Sequence, residues 1–362
     1  MQRLLHGRWL YVGIAAFVVL LYGRTLTTKP LELQGNVPPA HWQLPTLPTT
    51  EDGGHGVADA LARWPLSLDR EAFFALVARQ PALAITLVVL SVLMVGMGLW
   101  GMILTGWVVW TGALRILWRL PRRRLTSWSI GELIRISLLT LMLASLLPFV
   151  RLAVLAWLPS WELADHHTWI VSSMLVLDAV LVFTVLTFAV GKRPSMWRLK
   201  GQAARRVLQI IEVSGRSYLI VFPWLFIMLG VIAVIARSLG FEPPIEAIHE
   251  LIFEERRPAI LALTAVLACV VGPLAEELLF RGVLYSVIRR WTSPVIAMLA
   301  SAGIFSSFHA NMVGFLPIVA LGCLLAHVYE QTGSLLSPLI IHMFHNTLLM
   351  GLALVFRQLV AL

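Results

Sequence analysis

From residue 84 to residue 356 the chain is a succession of long apolar runs separated by short polar connections, and this pattern leaves few folds open. The runs read as spans at 84–114, 133–158, 168–190, 217–239, 259–288, 294–311, 314–330 and 335–356, with a shorter one at 9–23. A helix of about 20 apolar residues crosses a hydrocarbon core of ~30 Å, and most of these runs approach or exceed that length. With 59% hydrophobic against 13% charged residues, a soluble domain could not hide so much apolar surface. Backbone groups in lipid must pair within their own segment, which favours helices. The expected fold is therefore all-α, a polytopic transmembrane helical bundle of about eight or nine spans.

The formal net charge of +9 would suggest a nucleic-acid partner in a soluble protein. Here the basic residues gather in short connections, where they report topology instead; the partner expected is the lipid bilayer, not nucleic acid. Residues 115–124 carry Arg115, Arg119, Arg122, Arg123 and Arg124. Residues 191–216 carry Lys192, Arg193, Arg198, Lys200, Arg205, Arg206 and Arg216 against the single acid Glu212. Both are read as cytoplasmic loops. The connections between them are acidic: 159–167 holds Glu162 and Asp165 with no Lys or Arg, and 240–258 holds five glutamates against two arginines. This puts the N-terminus inside. Residues 1–23 are read as an uncleaved N-terminal membrane anchor, residues 24–80 as a Pro-rich extracytoplasmic segment with a short interfacial helix over 67–79, and residues 84–239 as additional transmembrane helices with basic cytoplasmic loops. Cys269 and Cys323 both fall in apolar runs, so no disulfide framework is indicated.

The region 259–356 holds the chemistry. Between Ala259 and Phe356 the only Asp, Glu, Lys or Arg residues are Glu276, Glu277, Arg281, Arg289, Arg290 and Glu330. Arg289, Arg290 and Glu330 read as turn residues that need no special account. Glu276, Glu277 and Arg281 lie inside the run, where an ion at bilayer depth costs roughly 2.5–3.5 kcal/mol on an insertion scale. Glu277 and Arg281 share a helix face in the favourable order for an ion pair, whereas Glu276 points about 100° away and has no partner in its own helix. Two further clusters follow: Phe305 with His309, and His342 with Asn346, each pair four apart. Counting from the reversals near 291–293 and 331–334 at ~1.5 Å per residue, Glu276 and His309 lie roughly 23 Å along their helices, His342 roughly 12 Å and Asn346 roughly 18 Å. Three polar clusters on three helices thus fall within one layer of the membrane.

A carboxylate and an imidazole around one water make a general base, and an imidazole N–H beside an amide N–H makes a donor pair for a developing oxyanion. Together these describe hydrolysis of an acyl bond. Glu276, His309 and His342 could alternatively supply three ligands to a catalytic zinc with water in the fourth position; no H-E-x-x-H pattern accompanies them, and direct water activation is the preferred reading.

The series Glu276-Glu277-x-x-x-Arg281, Phe305-x-x-x-His309 and His342-x-x-x-Asn346 resembles the three motifs of the CPBP family of intramembrane endopeptidases, which includes the type II CAAX prenyl proteases and bacteriocin-related bacterial proteins. The resemblance covers about 259–350; nothing like it is evident before about residue 210. It implies that Glu276 and His309 activate water, that His342 and Asn346 hold the oxyanion, and that Glu277, Arg281 and Phe305 support them. It also implies a helical core with a cavity open to the cytoplasm, a substrate that is a membrane-associated, prenylated or otherwise hydrophobic peptide or protein, and a possible divalent metal. A multi-pass protein of a bacterial cytoplasmic membrane is the expected setting.

Two other functions compete. One is a non-catalytic immunity or scaffold protein of the same fold, against which the completeness of the motifs argues. The other is a transporter using Glu276 and Arg281 along an ion path, for which the isolated Asp178 of the fourth span is the cited feature. Pairing of Asp178 with an arginine such as Arg151, or with backbone groups, is the simpler expectation. His327 and His345 read as packing residues, and His166 and His167 as residues of an external loop beside Asp165.

Overall fold

The structure, a computed structural model, describes residues 10–16, 78–112, 128–158, 160, 165–190, 203–240, 247–309 and 311–360. The chain divides into two units, Met1–Ser67 and Leu68–Leu362. In the first, residues 10–16 are helical, within the expected anchor. The rest of the anchor, the segment 24–77, the basic loop 115–124 and residues 191–202 lie outside the described residues, and with them the loop-charge orientation.

In the second unit the helices are α1 (Pro81–Trp110), α2 (Ile130–Trp157), α3 (His166–Ala189), α4 (Ala203–Ser238), α5 (Ala247–Glu254), α6 (Pro258–Arg289), α7 (Pro294–Phe308), α8 (Phe315–Thr332) and α9 (Leu336–Val360). Among the described residues, seven of these are long and apolar enough to cross a membrane. The protein is a multi-pass helical membrane protein.

Local chemistry sets the helix ends. Ser129 caps α2 through the amide of Glu132, whose carboxylate reaches back to the Ser129 amide in a reciprocal box. Asp165 caps α3 through the Thr168 amide, and Ser293 caps α7 just before Pro294, where the missing N–H costs nothing. Gly333, at φ 65°, closes α8 in the left-handed conformation and allows the tight reversal into α9.

One expectation is corrected. The connection 191–216 is helical from Ala203, so Arg205, Arg206, Glu212 and Arg216 lie on α4. Its first turns are amphipathic, and Arg216 lays its guanidinium over the Trp107 ring of α1 at 5.1 Å, which lets a charged side chain extend the helix beyond its apolar stretch. The connection 240–258 contains the helix α5.

Packing brings α4, α8 and α9 together around Tyr218, Phe222, Leu225, Leu321, Leu325, Val328 and Ile341. The α1 helix lies against α4, α2 against α3, and α3 against the middle of α6. Pro223 inside α4 removes the N–H that would bond the Leu219 carbonyl. The chain accommodates this at Gly101 of α1, where any Cβ would overlap the Leu219 oxygen. Gly322 plays the same part between α8 and α7: a Cβ there would stand 2.8 Å from that of Ala302. Small residues let helices approach closely where lipid offers no hydrophobic drive.

The ends of α3, α6 and α9 are tied by a polar cluster. Arg257 pairs with Asp165 and Glu255, His167 Nδ1 stands 3.1 Å from Glu255, and Arg357 donates to the Glu255 carbonyl. Hydrogen bonding by Arg257 holds the Glu255 carboxyl down at about 2 against the cost of its burial. The Thr168 amide, followed by Arg257, does the same for Asp165.

Candidate active site

The α6 helix is not uniform. Segments of wider, π-type winding at Leu267–Val271 and Leu278–Tyr285 flank the α-helical turn Gly272–Glu277. Such bulges shift the facing of everything beyond them and recur at functional sites. Here they bracket the two adjacent glutamates.

Those glutamates have different surroundings. Glu277 is 1% exposed, and its Oε1 accepts from Arg281 Nη1 at 2.8 Å and from His342 Nδ1 at 2.8 Å. Arg281 also donates to the Gly322 carbonyl at 3.2 Å, and its guanidinium carbon lies 4.5 Å from the Phe305 ring centroid. Glu276 is one-third exposed, and its Oε2 lies 3.5 Å from His342 Nε2. His342 thus spans the pair. The Glu277 carboxylate can only accept, so Nδ1 carries a proton, and Nε2 is the ring atom left to exchange one with Glu276 or a bound molecule. Two carboxylates one residue apart thus stand in different environments, one buried and paired, the other partly exposed.

Phe305 joins the histidines. Its ring packs edge-on against His342 at 5.8 Å, His309 at 4.7 Å and Phe280 at 5.0 Å between centroids. His309 ends α7, and its Nδ1 stands 3.0 Å from the Phe305 carbonyl. The carbonyl accepts, so the neutral His309 ring has its lone pair on Nε2. Asn346, one turn after His342 on α9, donates through Nδ2 to the Ala268 carbonyl in the first π segment at 2.8 Å. Glu276, Glu277, Arg281, Phe305 and His342 therefore form one contact group, His309 joins it through Phe305, and Asn346 is anchored to the bulge that precedes Glu276.

Among the described residues no three His, Cys, Asp or Glu side chains are grouped so as to hold a metal ion. Glu276, His309 and His342 do not form such a set.

Some residues behave otherwise than their sequence setting suggests. Glu330 is fully buried: it accepts from Tyr285 at 2.7 Å and from Arg289 Nε at 3.3 Å, linking α8 to the end of α6. It lies two residues before the helix end yet inside the bundle, which proximity to a turn does not disclose. Arg151 is engaged with His166 at 3.1 Å. Asp178 of α3 instead faces α6: its Oδ2 lies 3.8 Å from where a Cβ of Gly272 would stand. Gly272 and Glu276 share a face four residues apart, so an acid from outside the three motifs borders the site. The isolated polar residue in an apolar span was the signal for it. His345 packs with its Nδ1 at 2.9 Å from the Tyr218 hydroxyl.

Comparison with known proteins points to the same part of the chain. Residues 258–348 match the family model described as type II CAAX prenyl endopeptidase Rce1-like. Over 85 residues the chain is 31% identical to the putative membrane peptidase YdiL of Bacillus subtilis (strain 168), covering 24% of this chain and 35% of that protein. It is 28% identical over 152 residues to an uncharacterized 24.3 kDa protein of Escherichia coli, covering 40% and 70% of the two. It is 36% identical over 96 residues to the uncharacterized protein YpbD of Bacillus subtilis (strain 168), covering 26% and 46%. The chain thus spans about a third of the first relative's length and just under half of the third's. No solved structure matches. All seven motif residues, from Glu276 to Asn346, lie within the matched segment, and over that segment the chain is similar to the Rce1-like family of CAAX prenyl endopeptidases.

Proposed function

We propose that the protein is an intramembrane endopeptidase that hydrolyses peptide bonds of membrane-associated or lipid-modified hydrophobic substrates by direct activation of water. The observation that carries this reading is the bridging of His342 between two unlike carboxylates, Glu277 at Nδ1 and Glu276 at Nε2. Glu276, the more exposed of the two, takes a proton from a water molecule, and the water oxygen attacks the scissile carbonyl carbon. His309 presents Nε2 to the same water, oriented by its Nδ1–H bond to Phe305. The oxyanion that forms accepts from protonated His342 Nε2 and from the Asn346 amide. Collapse breaks the C–N bond as the proton held by Glu276 passes to the leaving amine, and the carboxylate is regenerated. Glu277 and Arg281 do not touch the substrate in this scheme; they hold the His342 ring in place. The basic connections near the Trp291–Ser293 reversal, Arg289 and Arg290 among them, favour a site open to the cytoplasm of a bacterial membrane with the N-terminus on that side.

The test compares membrane-protein termini by mass spectrometry in cells expressing wild type and Glu276→Gln at matched levels. Termini that arise only with wild type are expected, and they identify substrates. A strong chelator should leave cleavage by the purified protein intact; its loss, restored by zinc, would bring back the metal reading. Identical termini with both proteins would place a scaffold role first.

A further inference from the structure

The bond between Asn346 and the Ala268 carbonyl has a cause in the sequence of α6. In an α-helix the Ala268 carbonyl would accept from the N–H of Gly272, four residues on. That N–H bonds instead to Leu267, five residues back, in the π register. The next donor in that register, for Ala268, would be residue 273, which is proline and has no N–H. The Ala268 carbonyl therefore has no donor in its own helix in either register. It faces the bundle rather than water, where an unmet acceptor is costly, and the side-chain amide of Asn346 meets it at 2.8 Å.

We infer that Pro273 is a positioning residue for the reaction: by withholding an N–H from Ala268 it captures one N–H of Asn346 and thereby fixes the direction of the other. A primary amide carries two N–H donors in a rigid plane. Committing one to a backbone oxygen restricts the plane, and the second N–H is then held in a definite direction. The acceptor also settles the identity of the amide atoms, since a carbonyl can be bonded only by Nδ2. Pro223 of α4 offers the contrast: the Leu219 carbonyl opposite it lies against Gly101 of α1, which has no side chain to donate.

The catalytic part of this inference rests on the endopeptidase reading; the tether does not, and the experiment separates them. Pro273→Ala restores a donor for Ala268 and, as a replacement of proline within a helix, is not expected to lower the melting temperature. Pro273→Ser supplies the same N–H should the alanine variant express poorly. On full-length protein in detergent, Asn346→Ala should lower the melting temperature in the wild-type background, where it strands the Ala268 carbonyl. It should have little further effect in the Pro273→Ala background. Equal losses in both backgrounds would overturn the tether whatever the protein's activity. On a substrate identified by its wild-type-dependent terminus, Pro273→Ala should reduce kcat on the order of tenfold to a hundredfold with KM little changed. Combined with Asn346→Ala it should be no slower than Asn346→Ala alone. An unchanged kcat alongside a confirmed tether would confine Pro273 to a structural role and overturn the inference. A wild type that cleaves nothing would instead remove the endopeptidase reading and leave the stability cycle as the test of the tether.

Discussion

Helices α1 and α2 and helices α6 to α9 solve the membrane problem in opposite ways. In the most apolar stretches of α1 and α2 only 11% and 6% of the residues are fully buried, and many side chains stand exposed. They are apolar on every side, as helices surrounded by lipid must be, and at Gly101 the joint of α1 to α4 is one of small size. The α8 helix is half buried over the corresponding stretch. It shares with α6, α7 and α9 an interior holding Glu277, Arg281, Glu330 and His342, all nearly inaccessible. Apolar helices in lipid gain little from one another, because lipid tails are as good a neighbour as leucine. Buried ionisable groups have no such alternative partner. The C-terminal helices are held in one arrangement because these groups find partners on other helices: Glu277 in His342, Arg281 in the Gly322 carbonyl and Glu330 in Tyr285.

This contrast can be broken in order of severity. Arg281→Ala leaves Glu277 charged and buried without its guanidinium, and a loss of about 3–5 kcal/mol is expected, seen as a large drop in melting temperature together with loss of cleavage. Gly322→Ala drives a methyl against Ala302 and should cost about 1–3 kcal/mol; because Phe305 and His309 are on the displaced helix, kcat should fall as well. Gly101→Ala sharpens the comparison: it should separate α1 from α4 at a similar cost in melting temperature while leaving kcat close to wild type. Val92→Thr, on the lipid face of α1, should stay within about 0.5 kcal/mol of wild type.

Acid probes the cluster at the ends of α3, α6 and α9 separately. The folded-state value of Glu255 lies below its ordinary one, at about 2, chiefly because of Arg257. Its contribution is therefore complete above the ordinary carboxyl range and is lost as pH falls from there toward 2. Melting temperature should be flat in this respect above about pH 5 and decline below it, and Glu255→Gln should make the decline shallower.

Much of this is legible in the sequence, for physical reasons. Span positions follow from run length, and the Glu277–Arg281 pair follows from helical spacing. What escaped was whatever depends on which way a helix faces. Glu330 looked like a turn residue because distance along the chain says nothing of distance from the bundle axis. Asp178 faces Gly272 rather than an arginine because α3 packs on the middle of α6, a choice made by tertiary contacts. The start of α4 at Ala203 was hidden by arginines that a hydropathy reading counts as loop and a helix accommodates on one face. The wider winding on either side of Glu276 has no periodic signature.

The shortness of α7 carries one consequence further. Its 15 residues extend only ~22 Å, less than the ~30 Å of an ordinary hydrocarbon core, and Phe308, Met312 and Leu316 stand exposed around the turn that follows. A bilayer meeting so short an element thins locally, at a cost that rises with each ångström of mismatch. Acyl-chain length is then a variable to which the surroundings of His309, at the end of α7, are expected to respond.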